Sequence, residues 1–367
     1  MIFEIYAKHM TLFIKIMLEK MLDCDIYGVD THEELYIKCD KKTGLKAIIS
    51  IHNSSNRPAL GGCRFISYDS SHNALTDVLK LSKSMSFKAI LAGVPYGGGK
   101  AVILKPEQPF NRQLLFKGFG DFVNQLGGRY ITTMDSGIVT KDLEVISNQT
   151  PYVTGLGIDG NPAPYTAEGV IKGIEAALNF KYGTSKMNGI RIAIQGVGNV
   201  GFCLGKKAYE RGAKLTICDY DSLMVSQCLN EFTASVVSPN EIYSVECDVF
   251  APCGLGSTIN PETISKLKAT IIAGSANNQL SDDTISELIN ERNILYAPDY
   301  VINAGGLIHV AGLYSNVLKS QIESKIAAIY DTLIEIFISS KRLGKSTNDV
   351  AYEIASSYLQ NPEDINY

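Results

Sequence analysis

The 367-residue sequence lacks a basic surplus: 34 Lys and Arg against 38 Asp and Glu leave a net charge of −4, which argues against partners held through phosphate backbones or an anionic membrane surface. Neither nucleic acid nor a membrane is an expected partner. It also lacks paired cysteines. Its eight (Cys24, Cys39, Cys63, Cys203, Cys218, Cys228, Cys247 and Cys253) include no CxxC pair and none has a histidine at ligand spacing. Neither a zinc site nor a disulfide framework is therefore expected, no metal is called for, and a reducing cytoplasm fits best. A membrane span needs about 20 mostly apolar residues, but the apolar stretch at residues 1–20 is interrupted by Glu4, Lys8 and Lys15 and is followed by no small-residue cleavage site. It reads as an amphipathic N-terminal extension or as a start assigned too early, with Met17 or Met21 as the alternative. Repeats and low-complexity tracts are missing too, so hydrophobic periodicity and glycine and proline punctuation must delimit the elements.

What is present is enough apolar material, 45% of the residues, for a large core and two domains of ordinary size. From Glu34 to Ser67 the alternation in LYIKCD and the β-branched run in LKAIISIHN predict strands, and helical spacing follows from Ser71 to Ile90. Then come a glycine-rich turn, a strand at AVILK, a helix from Gln113 to Gln125 and the strand-like RYITTMD. The stretch GLGIDGNPAPYT reads as a hinge, which places a domain boundary after Thr154. A helix from Ala167 to Asn179 follows, and beyond it RIAIQ, KLTIC, DVF, TIIAG and ILYAP alternate with helical segments. That alternation predicts a doubly wound parallel sheet. The expectation is an α/β chain of two domains separated by a cleft: a substrate-binding and oligomerisation domain at 1–154 and a Rossmann-type domain at 155–330. A long helix from Ser320 to Ser339 leads to a polar tail ending at Tyr367, and residues 331–367 are expected as a C-terminal helical segment returning towards the first domain.

Residues 190–219 carry a dinucleotide fingerprint in context: a strand, the turn Gly196-Val197-Gly198-Asn199-Val200-Gly201, a helix, a second strand and then Asp219. Gly196 permits the tight turn, Gly198 removes a side chain where backbone must approach a pyrophosphate, and Gly201 allows close helix–sheet packing. The helix N-terminus offers its free N–H groups to the phosphates. Asp219 can accept hydrogen bonds from the adenosine ribose hydroxyls and would repel a 2′-phosphate, which favours NAD over NADP.

In the N-terminal half, Gly97-Gly98-Gly99 precede Lys100, with Lys88 twelve residues earlier and Asp135 at the end of a strand-like segment. A lysine after such a turn can project into a cleft, where burial and a second cation, Lys88, would lower its pKa towards the working pH. Two solvated lysines on a loose loop fit the same residues.

From Glu34 to Ala351 the chain resembles the leucine dehydrogenase branch of the glutamate/leucine/phenylalanine/valine dehydrogenase superfamily. The motifs are TGLKAIISIHN, PALGGCRF, GGGKAVI, GRYIT, YVTG, GNPAPYTAEGV, AIQGVGNVG, CDVFAPCGLG, IIAGSANNQL and APDYVINAGG. The resemblance implies NAD-dependent oxidative deamination of an amino acid to a 2-oxo acid and ammonium, running reversibly. Lys100 is then the general base, Asp135 moves protons to and from the nitrogen, and Lys88 with Asn277 holds the α-carboxylate. Hydride passes from Cα to the nicotinamide, and water activated by Lys100 attacks the iminium. Gly61 and Gly62 shape the substrate floor. Thr166, Ala251, Pro252, Cys253 and Asn277 join the fingerprint in binding the cofactor.

Leu60 stands where glutamate-using relatives carry a lysine, and an unpaired carboxylate there would be costly. With Thr133, Leu307 and Val310 it makes an aliphatic pocket, and the expected substrates are leucine, valine and isoleucine. The run Thr133-Met134-Asp135-Ser136-Gly137-Ile138 replaces the branch's usual Ala-Glu-Asp-Val-Gly-Thr. Thr133 would narrow the pocket towards valine or 2-aminobutyrate. His309 reads as a helix-packing residue and the other four histidines are isolated. A homo-oligomer is expected, with the branch's octamer, a dimer and other smaller assemblies all open. Phenylalanine or valine dehydrogenase, and a catalytically silent NAD-binding protein, are the competing readings.

Overall fold

The computed structural model describes residues 31–54, 57–254, 256–282 and 284–360; the extension at 1–20 and the last seven residues of the tail lie outside the described residues. Among the described residues no helix is long and apolar enough to cross a membrane. Contacts group the described residues into two compact units, those at 31–83 with 97–150, and those at 84–96 with 151–360. The split falls inside one helix rather than only at the hinge.

The first unit holds β1 (Glu34–Asp40), β2 (Leu45–Asn53), β3 (Ala59–Ile66), the start of helix α1 (Ser71–Leu91), β4 (Gly97–Leu104), α2 (Arg112–Gln125), β5 (Tyr130–Met134) and α3 (Thr140–Ser147). Its sheet runs β1-β2-β4-β3-β5, with β1, β2 and β4 antiparallel and β4, β3 and β5 parallel. Neighbouring residues on a strand point to opposite faces. The register Leu60↔Gly98, Gly62↔Thr133 and Ser50↔Lys100 therefore puts Leu60, Gly62, Arg64, Lys100 and Thr133 on one face. On that face Ile48 and Val102 pack against Ala74, Val78 and Leu79 of α1. On the other, the Phe65 ring meets Phe116 of α2 edge-on at 5.3 Å.

Gly97, Gly98 and Gly99 were expected in a turn, but the structure makes them the buried first residues of β4. The reason is steric. A Cβ on Gly61 would stand 1.7 Å from the Gly99 carbonyl oxygen, and one on Gly99 would stand 2.9 Å from the Tyr130 ring. Their absence lets Tyr130 cross under the strands and donate its hydroxyl to the Gly61 carbonyl at 2.6 Å.

The second unit begins with α4 (Ala163–Tyr182), whose start precedes the expected one by four residues because prolines suit the first turn. Then follow β6 (Arg191–Gln195), α5 (Asn199–Glu210), β7 (Lys214–Cys218), α6 (Ser222–Glu231), β8 (Ala234–Val236), β9 (Val249–Pro252), α7 (Pro261–Lys266), β10 (Ile271–Ile272), α8 (Thr284–Glu291) and β11 (Leu295–Tyr296). All neighbours in the order β11-β10-β9-β6-β7-β8 are parallel. The adjacent β6 and β9 mark the point where strand order reverses, where a doubly wound sheet binds its ligand.

Five helices complete it: α9 (Asp299–Ile302), α10 (Gly305–Tyr314), α11 (Lys319–Ala327), α12 (Ile329–Leu343) and α13 (Thr347–Gln360). The single helix expected at 320–339 is thus two, broken at Ala328, and much of the expected polar tail is helix α13. Its Val350, Ala351 and Ala355 are buried, an i, i+1, i+5 stripe too narrow to stand out among polar neighbours. These residues cluster with the second unit, where the Phe337 ring of α12 lies 5.4 Å from that of Phe180 in α4.

Candidate active site

In the first unit Lys100 on β4 and Asp135, just past β5, form an ion pair with Nζ to Oδ2 at 2.6 Å. Both are largely buried, with 6% and 15% of their side chains exposed. Burial alone would raise the Asp135 pKa, but the Lys100 and Arg64 charges together with hydrogen bonds from Lys100 and the Ser136 backbone outweigh it and hold the carboxyl well below its ordinary range. The charge paired with Lys100 is thus the anion Asp135, whereas the sequence suggested a second cation, Lys88. Lys88 belongs to the second unit.

Gly62 lies across from Thr133 in the sheet, and a Cβ there would stand 2.8 Å from the Asp135 Cβ and from the Met134 carbonyl oxygen. That glycine keeps the sheet surface open beside the ion pair. Gly61 points to the opposite face and serves the Tyr130 packing instead. Leu60 is fully buried, and Thr133 is buried with a hydroxyl that has no hydrogen-bond partner among the described residues.

In the second unit the Lys88 ammonium donates to Asn277 Oδ1 at 3.0 Å, and Asn303 Nδ2 donates to the same oxygen at 2.9 Å. Asn303 also donates to the Ser275 carbonyl at 3.1 Å. The asparagine amide is thereby oriented from two sides. Asp299, buried nearby in sequence, accepts from the Gln279 and Tyr300 backbone N–H groups, and burial raises its pKa despite the Lys88 charge and those bonds. Leu307 and Val310 are buried on α10, but so is every residue from Gly305 to Gly312. This helix is enclosed all round rather than on one side. His309 stacks on Tyr165 at 3.6 Å and donates through Nε2 to the Asp159 carbonyl at 2.6 Å. Burial lowers its pKa, as suits a packing residue.

The glycine turn lies between β6 and α5. Gly196 adopts φ of +88°, and an added Cβ would meet Gly254 backbone at 2.6 Å, so only glycine fits this crossing of the two central strand ends. A Cβ on Gly201 would stand 2.0 Å from the Gly196 carbonyl oxygen. At Gly198 nothing lies within 4 Å of that position, and no side chain caps the first turn of α5. Asn199 and Val200, at the start of α5, thus offer an open cradle of backbone N–H groups fit for a pyrophosphate, with the neighbouring Val197 N–H engaged elsewhere. Asp219 Oδ2 accepts the Val197 N–H at 2.7 Å and Oδ1 that of Asp221 at 3.0 Å, which fixes the carboxylate at the end of β7. Ala251 and Pro252 end β9, with Cys253 next and donating its N–H to the Gln195 carbonyl at 2.7 Å. Thr166 sits in the first turn of α4, its hydroxyl donating to the Pro162 carbonyl at 3.0 Å. The donor set and the space suit NAD.

Sequence reasoning passed over Arg64, Asp77 and Tyr68. Arg64 Nε stands 3.3 Å from the Asp135 oxygen that Lys100 uses, while its Nη1 donates to both Asp77 oxygens at 3.1 and 2.9 Å. The usable signal was the two-residue step from Gly62 to Arg64 on one strand face. Asn303 was also passed over, although its motif was noted.

Comparison with known proteins identifies the family. Family models described as Glu/Leu/Phe/Val dehydrogenase, dimerisation domain, and Glutamate/Leucine/Phenylalanine/Valine dehydrogenase match residues 31–152 and 217–314. The chain is similar to leucine dehydrogenase of Bacillus cereus, at 44% identity over 91% of this chain and 95% of the relative. It is likewise similar to L-tryptophan dehydrogenase of Nostoc punctiforme, at 41% identity over 90% and 94%. The crystal structure of that enzyme superposes with a TM-score of 0.77, at 39% identity over 92% of this chain and 99% of the other. With the fold, the dinucleotide cradle and relatives this extensive in agreement, the chain belongs to the glutamate/leucine/phenylalanine/valine dehydrogenase family and is an NAD-dependent amino-acid dehydrogenase.

Proposed function

We propose that the substrates are branched-chain L-amino acids, oxidatively deaminated to 2-oxo acids and ammonium, with Lys100 as the general base. The observation that carries this reading is the buried Lys100–Asp135 pair on a sheet face whose neighbouring positions are Leu60, Gly62 and Thr133. Leu60 brings no charge to meet a side-chain carboxylate, which disfavours glutamate. Thr133 is bulkier than the alanine usual in the branch, which narrows the space and favours compact aliphatic substrates over aromatic ones.

Lys88 supplies a positive charge for the substrate α-carboxylate, and Asn277, held by Asn303, orients it. The glycine turn at 196–201 would hold NAD, which would supply the hydride acceptor for Cα. Lys100 then takes a proton from the water that adds to the resulting iminium carbon, and Asp135 carries the proton that leaves with ammonia. Proton transfers of this kind contribute about 10²- to 10⁴-fold. Leu307 and Val310 complete the aliphatic specificity, and the protein works as a homo-oligomer through its N-terminal unit, in the cytoplasm.

The test is a rate comparison with NAD and leucine, valine, isoleucine, 2-aminobutyrate, phenylalanine, tryptophan and glutamate, followed by NADH absorbance. Highest kcat/KM on the aliphatic members supports the reading. Preference for phenylalanine or tryptophan would transfer the protein to the aromatic-specific members.

A further inference from the structure

The base does not stand against its acid alone: Asp135 Oδ2 is shared between Lys100 Nζ at 2.6 Å and Arg64 Nε at 3.3 Å. Arg64 is itself held by both oxygens of Asp77, one of which accepts from the Tyr68 hydroxyl at 2.5 Å. The four side chains link β3, the loop after it, α1 and the end of β5 into one row ending at Lys100. Their exposure is low, 16% for Arg64 and 21% for Asp77, so solvent screens these charges only partly.

We propose that Arg64, set by Asp77 and Tyr68, is a positioning residue that divides the Asp135 charge and so governs how readily Lys100 gives up its proton. The proposal rests on the reading of Lys100 as the base. If Asp135 faced Lys100 alone, its whole charge would act on the ammonium. Arg64 draws part of that charge to itself and repels the ammonium besides; Asp77 moderates Arg64 by neutralising part of its charge. Among the described residues, Cys63 and Tyr130 are further titratable groups that interact with the pair. Burial pushes the Cys63 thiol up to about 12 and the Tyr130 hydroxyl well above its ordinary value, so both stay neutral through the working range.

Opposite consequences for two substitutions separate this role from that of a structural brace. Removing the Arg64 charge should make deprotonation of the base harder, and removing the Asp77 charge should make it easier. The experiment records kcat/KM against pH in the deamination direction for the full chain, Arg64→Gln, Arg64→Lys, Asp77→Asn and Lys100→Ala, with thermal unfolding of each. The amino acid's own ionisation is common to all of them. Arg64→Gln should move the acid limb up by about one pH unit, a tenfold loss on that limb, and Asp77→Asn should move it down. Arg64→Lys, which keeps the charge, should return most of the shift. A fall in kcat/KM with limbs unmoved, or shifts of the same sign in Arg64→Gln and Asp77→Asn, would overturn the proposal. Should Arg64→Gln not fold, the direction of the Asp77→Asn shift decides. An active Lys100→Ala would overturn the base assignment itself, whereas an inactive one with unmoved limbs elsewhere counts against Arg64 only.

Discussion

Asp135 ties the proposed catalytic pair to the stability of the fold. Its folded-state pKa lies below the unfolded value of about 3.9, so the ionised carboxylate stabilises the fold above that value, and the contribution disappears as pH falls through the folded-state value. Asp135→Asn would leave Lys100 and Arg64 without their shared anion and should cost about 3 kcal/mol near pH 7. Denaturant unfolding at neutral pH and below pH 3 checks this: the deficit should shrink in acid, and a pH-independent deficit would contradict it. Gly62 offers a second residue-scale test, because a Cβ there meets the Asp135 Cβ and Met134 carbonyl at 2.8 Å. Gly62→Ala should lower kcat/KM roughly 100-fold by displacing the carboxylate, with far less effect on Tm. At this scale the lysine and the aspartate were legible because they end recognisable runs. Arg64 was not, since its role depends on which side of β3 it faces and on a helix residue thirteen positions away.

Among the elements, β4 shows how sequence and structure part company. Three consecutive glycines read locally as a turn, because glycine is poor in strands. The structure needs them in a strand, where Gly99 makes room for Tyr130 and its carbonyl lies against Gly61. That requirement is tertiary and leaves no local pattern. It makes Gly61→Ala an element-scale prediction: a Cβ 1.7 Å from a backbone oxygen between central strands forces them apart, and unfolding free energy should fall by about 3 kcal/mol or more. A stability within error of the parent chain in a urea titration would show that the sheet adapts. Elsewhere the pattern sufficed. The β6–α5–β7 segment was legible because its periodicity, glycine spacing and terminal Asp219 all serve one cradle, whereas the break at Ala328 and the helix α13 were hidden by narrow apolar stripes.

For the whole molecule, each unit holds part of the proposed chemistry: the Lys100–Asp135 ion pair lies in the first, and the glycine turn with the Lys88–Asn277–Asn303 contacts in the second. The α/β class and the doubly wound sheet were legible from alternation. The assignment of residues 84–96 to the second unit was not, because one helix serves both. The proposed cofactor cradle and Asp219 lie in the second unit. Asp219→Ser should raise the NADP-to-NAD ratio of kcat/KM roughly tenfold or more, about 1.4 kcal/mol, and an unchanged ratio would mean that Asp219 serves only the Val197 turn. The most direct measurement of the central claim uses Lys100→Ala, comparing its NADH binding by fluorescence with its turnover of the best aliphatic amino acid. The account predicts unchanged NADH affinity and a loss of turnover of at least about 100-fold; turnover near that of the parent chain would contradict Lys100 as the base.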